Sequence, residues 1–178
     1  MLFRSPGIVI DASAAIAILR RESSAEAIME AIRASARGER RLVPDGFWLE
    51  IVNVLIRRHG QSPDEAVEAL RELDELGLES VRLDRALLLV ALDLAARHHL
   101  SAYDAAYLAL AEVEDVRLLT LDTELAAAAG PRAIQLTPGQ PHRFAERPAT
   151  YGPQPIDWAR FGPYLAQLRA TARTAAGR

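Results

Sequence analysis

The chain has 178 residues, of which 50% are hydrophobic, with 24 acidic and 21 basic side chains and a formal net charge of −3. This is enough for one compact domain with a real core and an appendage, and the charge balance carries no overall basic footprint of a nucleic-acid binder. Cysteine is absent, which excludes thiolate nucleophiles, zinc–thiolate clusters and disulfides, while all 21 basic residues are arginine, a side chain suited to phosphate and equally the product of a GC-rich coding sequence.

Ile8-Val9-Ile10 is a short β-branched run that feeds, through Asp11, a helix-forming stretch from Ala14 to Arg20. Ser23 or Ser24 caps a second helix to about Arg37, stopped by Gly38. Arg41 to Val43 reads as a strand, and Pro44-Asp45 opens one helix from Phe47 to Arg58, closed by Gly60. In Ser62-Pro63-Asp64-Glu65 a cap, a proline in the first helical position and a glutamate three residues on form a capping box, whose helix ends near Gly77. Leu78 to Leu83 alternates like a strand, and Asp84 caps a long helix to His98. A helix over Ser101 to Val113, a strand over Arg117 to Leu121, a short helix over Thr123 to Ala129 and a last strand over Ala133 to Leu136 complete the series. Strands alternating with helices predict a parallel sheet wrapped by helices, an α/β fold.

Thr137 to Pro155 changes character, with prolines at 138, 141, 148, 153 and 155 precluding regular structure. Beyond it, Trp158, Phe161, Leu165 and Leu168 recur as an amphipathic helical stripe, expected to pack on the chain's own domain or across a dimer. The expected division is therefore 1–136 as the folded domain and 137–178 as a proline-rich arm with a short helix. The N-terminal residues Met1 to Gly7 hold too little apolar content for a signal peptide, and Asp93 breaks the apolar run Ala86 to Ala96 well short of a membrane span. A soluble cytoplasmic protein with no membrane partner is expected.

Acidic residues supply the chemistry. Asp11 and Asp122 each follow a predicted strand, Asp104 lies in the first turn of the helix opened by Ser101, and Glu50 interrupts the apolar segment Phe47 to Val52. Each aspartate has a structural alternative: Asp11 and Asp122 as caps of the helices that follow, Asp104 as the closing member of a capping box. For Glu50 the alternative is a buried pair with an arginine; Asn53 and Arg57 share its helix face. Asp93 differs, because Arg97 stands four residues on and pairs with it. In a parallel sheet the carboxyl ends of the strands share one edge, where ligands bind, so the four acids are expected together. Two carboxylates about 4 Å apart repel by roughly 4 kcal/mol at an effective dielectric of 20, and a hard divalent cation resolves this.

At these residues the chain resembles the PIN domain family, and within it the VapC-type toxin ribonucleases of prokaryotic toxin–antitoxin pairs. The resemblance rests on Ile8-Val9-Ile10-Asp11-Ala12-Ser13-Ala14, on Glu50-Ile51-Val52-Asn53-Val54-Leu55, on Leu100 to Ala111 around Tyr103-Asp104-Ala105-Ala106-Tyr107, and on Leu119-Thr120-Leu121-Asp122. It implies a three-layer α/β/α fold, a homodimer, a cognate VapB-type antitoxin that blocks the site, and RNA cleavage with Mg2+ or Mn2+. It also implies that Asp11, Glu50, Asp104 and Asp122 are the catalytic, metal-holding acids, with Ser13 and Thr120 as hydroxyls beside the metal and Asn53 in support. The segment beyond Leu136 has no counterpart in that pattern. Two other readings stand beside it. An aspartyl-phosphate phosphatase wants a second acid where Ser13 stands and a lysine the chain lacks, and a non-catalytic PIN-like module would bind RNA or protein without cutting.

Overall fold

A computed structural model of the chain describes residues 7–34, 38–134 and 136. The proline-rich arm and the Trp158 to Leu168 stripe lie outside the described residues.

Five strands form one sheet in the order β3-β2-β1-β4-β5, every neighbouring pair parallel. They are β1 (Gly7–Ile10), β2 (Arg40–Pro44), β3 (Leu78–Val81), β4 (Arg117–Leu119) and β5 (Ala133–Ile134). The helices between them are α1 (Ala12–Leu19), α2 (Ala25–Ala34), α3 (Phe47–Asn53), α4 (Pro63–Asp74), α5 (Arg85–His98), α6 (Ala102–Glu114) and α7 (Thr123–Ala129). They flank the sheet as the outer layers of an α/β/α fold.

The central strand is the most apolar because both of its faces are covered. Ile8, Val9 and Ile10 are completely buried, as are Leu42 and Val43 of β2 and Leu118 and Leu119 of β4, the near-continuous apolar run expected of a parallel sheet. Helix α6 packs across β1, β2 and β4 and is covered in turn by α5. It is therefore buried over seven consecutive positions, Ala105 to Ala111, and alanines on it permit close approach to the sheet.

Local signals place the helix starts. Ser62 and Glu65 close the expected capping box, with amide-to-side-chain bonds of 3.3 and 2.7 Å. Asp84 caps α5 by accepting from the Leu87 amide at 2.9 Å, and His99 ends it in the left-handed region at φ 56°. The expected Phe47 to Arg58 helix is a different object: α-helical through Asn53, it widens into a π-helical turn over Val54–Arg58. Strand β3 stops at Val81 rather than Leu83, and β4 stops at Leu119 rather than Leu121.

The strand order reverses direction between β1 and β4, since β2 and β3 extend to one side and β4 and β5 to the other. The crevice at such a reversal, beyond the carboxyl ends of the strands, is where open α/β sheets bind ligands. Asp11 stands there directly after β1.

Gly7 tests the tightness of the β1–β2 pairing. A Cβ added there would lie 2.9 Å from the Arg40 carbonyl oxygen and 3.3 Å from Val116 Cγ1, so the strands must separate to admit it. Gly7→Ala is expected to lower the unfolding free energy by about 1–3 kcal/mol, measured by urea denaturation.

Candidate active site

Asp11 occupies the N-cap position of α1 with extended backbone angles, φ −80° and ψ 154°, yet its side chain makes no cap bond. Its amide donates to the Leu119 carbonyl at 3.0 Å, carrying the β1–β4 pairing one residue further, and its carbonyl accepts from the amides of Ala14 and Ala15. The carboxylate is thereby released from helix capping for another task. Its Oδ2 accepts from the Ser13 hydroxyl at 2.5 Å and the Thr120 hydroxyl at 2.7 Å.

Both hydroxyls have their protons committed. Ser13 Oγ accepts from the Leu121 amide and Thr120 Oγ1 from the Asp122 amide, each at 2.9 Å. A hydroxyl has one proton, so with an amide on its lone pair it donates to the remaining neighbour. The same bonds explain why β4 ends early: the amides of Leu121 and Asp122 turn to these hydroxyls instead of extending the ladder. Ser13 and Thr120 thus stand beside the first acid.

The other acids are also each held at one end. Asp104, half-buried in the first turn of α6, accepts on Oδ2 from Ser101 Oγ at 2.7 Å while its own amide donates back to Ser101 Oγ. Asp122 caps α7, its Oδ1 accepting from the Leu125 amide at 2.7 Å, so the capping reading holds for this residue alongside its place at the site. Glu50, partly buried on α3, has no arginine partner among the described residues; its Oε2 accepts from the Tyr107 phenol at 2.8 Å. Asn53, one turn on, is exposed. Asp93 pairs with Arg97 at 2.6 Å, away from the cluster.

A common pattern results. In each carboxylate one oxygen is anchored by a donor from the chain, and among the described residues no donor reaches the other: Asp11 Oδ1, Glu50 Oε1, Asp104 Oδ1 and Asp122 Oδ2.

These groups feel one another. Burial pushes the Asp11 carboxyl up to about 6; the Ser13 and Thr120 hydroxyls hold it back, and the charges of Asp104 and Asp122 push it further. Burial and then the charge of Asp11 push Glu50 up to about 7, with the Tyr107 bond opposing and Asp104 adding to the rise. Asp104 is raised by burial, restrained by Ser101, and raised again by Asp122 and Glu124. Glu124 and Tyr107 are neighbours of the cluster that the sequence reading did not single out. The signal for Tyr107 was present: a phenol among the alanines and leucines of a buried helix needs a partner for its hydroxyl.

The acids share one edge of the sheet without closing into a cage, since among the described residues no three His, Cys, Asp or Glu side chains are grouped so as to hold an ion by themselves. Open, hard, mutually repelling oxygens fit a Mg2+-like ion, which keeps several waters and takes one or two carboxylates together with substrate phosphate.

Because the raised carboxyls bind protons more tightly in the folded state, stability falls as pH rises between their ordinary range near 4 and their folded values near 6 and 7. The lowered acids Glu65 and Glu79 act in the opposite sense only at lower pH. Metal-free protein is therefore expected to be less stable at pH 8 than at pH 5 by about 4 kcal/mol, Asp11 acting over roughly one pH unit of that window and Glu50 over roughly two. Asp11→Asn is expected to remove much of that difference in paired urea titrations.

Comparison with known proteins agrees with this geometry. The family model described as PIN domain matches residues 8–131. Ribonuclease VapC3 of Pyrobaculum aerophilum is 37% identical over 123 residues, 67% of this chain and 92% of that protein. Among solved structures, the sarcin-ricin loop cleaving toxin VapC20 of Mycobacterium tuberculosis superposes with a TM-score of 0.57 at 18% identity, covering 68% of this chain and 95% of that one. A toxin–antitoxin complex from Klebsiella pneumoniae superposes with a TM-score of 0.56 at 17% identity, covering 72% and 97%. The chain belongs to the PIN domain family and, within it, resembles the VapC-type ribonucleases.

Proposed function

We propose that this protein is a VapC-type ribonuclease that hydrolyses RNA phosphodiester bonds with Mg2+ or Mn2+ held by Asp11, Glu50, Asp104 and Asp122. The observation that carries the reading is the set of four carboxylates, each anchored through one oxygen and open at the other, at the strand-order reversal of the sheet. A relative 37% identical and named as a ribonuclease supports the same chemistry.

A divalent cation at such a site supplies Lewis-acid charge for the phosphate and a bound water acidic enough to ionise near neutral pH. The chain's part is to prepare for this. Ser13 and Thr120 hold Asp11 through Oδ2 and leave Oδ1 open, Ser101 fixes Asp104, and the α7 N-terminus fixes Asp122. Attack on phosphorus in line with the 3′ oxygen breaks the P–O3′ bond. The water's hydroxyl stays on phosphorus and a proton passes to the departing oxygen, leaving a 5′-phosphate and a 3′-hydroxyl. A module that binds RNA without cutting has no use for four mutually repelling carboxylates.

The reading extends to partners. A homodimer is supported by Leu88, Leu89 and Leu92 on α5, which are 45%, 58% and 65% exposed, an apolar patch of the kind that marks association. A cognate VapB-type antitoxin is supported by the Klebsiella neighbour, itself a toxin–antitoxin complex. No described helix is long and apolar enough to cross a membrane, and the proposed place of action is the cytoplasm. Residues 1–136 are proposed as the nuclease domain and 137–178 as an extension.

Purified protein incubated with RNA is expected to cut in Mg2+ or Mn2+ and to stop in excess chelator; Asp104→Asn is expected to reduce cleavage at least about 100-fold without changing the fold. Undiminished cleavage in chelator would overturn the reading. A chain ending at Leu136 is expected to retain cleavage but to lose thermal stability or dimerisation, measured by melting temperature and light scattering.

A further inference from the structure

Tyr107 lies three residues after Asp104 on α6, one turn along the same face. Its side chain is 1% exposed, so its hydroxyl must find partners within the protein. It has one in Glu50: the phenol donates to Glu50 Oε2 at 2.8 Å.

An ionised carboxylate only accepts, so the phenol's one proton goes to it. Tyr107 therefore joins two elements: α3 through Glu50, and α6 one turn beyond Asp104. Among the described residues no other donor holds the Glu50 carboxylate. A glutamate has three side-chain torsions to fix, and here a single bond fixes its far end.

We propose that Tyr107 is a positioning residue of the site: its phenol holds Glu50 Oε2 so that Oε1 is presented to the same cation as Asp11 Oδ1. The proposal rests on the ribonuclease reading for where the cation is used, and on the hydrogen bonds alone for where it is bound. Partners that orient a metal ligand commonly contribute about 10–100-fold in metal affinity or activity.

The test is a double-variant cycle in the full-length protein, with Mn2+ binding to the RNA-free protein read by calorimetry. Tyr107→Phe keeps the buried ring and removes only the hydroxyl, and Glu50→Gln keeps the side-chain length. Tyr107→Phe is expected to weaken Mn2+ binding about 10–100-fold, and to weaken it less than about 2-fold further in the Glu50→Gln background, because groups acting through one another are not additive. In the kinetic arm the loss is expected in kcat with KM for RNA unchanged. Should Tyr107→Phe not fold, Glu50→Asp breaks the same bond from the other side by withdrawing the carboxylate, and is expected to weaken Mn2+ binding to the same extent. Unchanged affinity in Tyr107→Phe, multiplied losses in the double variant, or a parent that binds no Mn2+ would each overturn the proposal. A parent that binds Mn2+ but cuts no RNA would instead overturn the ribonuclease reading, and the calorimetric cycle would still decide the role of Tyr107.

Discussion

Two hydroxyl protons, from Ser13 and Thr120, meet on one oxygen of Asp11, and the amides of Leu121 and Asp122 each donate to a lone pair of one of those hydroxyls. This knot joins the end of the central strand to the turn after β4 across more than a hundred residues of sequence. It closes off β4, sets the start of α7, and brings Asp122 to the same edge as Asp11. A buried carboxylate with its donors removed would face the full cost of desolvation, so the geometry of the β1–β4 crevice depends on both hydroxyls.

The same economy recurs in the other acids. Ser101 holds Asp104, the α7 amides hold Asp122, and Tyr107 holds Glu50. Each anchor stabilises one oxygen, while burial first and the neighbours' charge second raise the carboxyls of Asp11, Glu50 and Asp104, so the folded chain retains an electrostatic strain. Proteins commonly accept such local loss of stability at functional sites. On the proposed reading a cation would relieve it, and binding and stability would then be linked.

Much of the fold was legible because its signals are local. The Ser62 capping box, the Asp84 cap and the Ser101 cap each lie within four residues of what they stabilise, and the apolar runs of β1 and β4 announce a sheet buried on both faces. What was not legible depends on distant groups. The π-helical turn over Val54–Arg58 has no composition signal of its own, and β4 ends at Leu119 because Ser13, far away in sequence, takes the Leu121 amide. Asp11 and Asp122 stand out by their positions after strands, Asp104 by its place in a helix start, and Glu50 by interrupting an apolar segment. Their roles as caps were not separable at that level: Asp122 caps its helix, Asp11 occupies the cap position without capping, and Asp104 takes the Ser101 hydroxyl. Tyr107 belongs to the motif around Asp104, but its bond to Glu50 joins residues 57 apart, and only the fold, which brings the two side chains together, reveals it.

The claim that most needs testing is that the open oxygens, rather than the anchored ones, receive a divalent cation. Anomalous diffraction from crystals of the full-length protein soaked in Mn2+ measures this directly. The account predicts a manganese peak in the crevice beyond β1 and β4, in direct contact with Asp11 Oδ1, with Oδ2 still holding Ser13 and Thr120. A peak bound through Oδ2 with those hydroxyls displaced, or no peak beside Asp11 at saturating Mn2+, would contradict it.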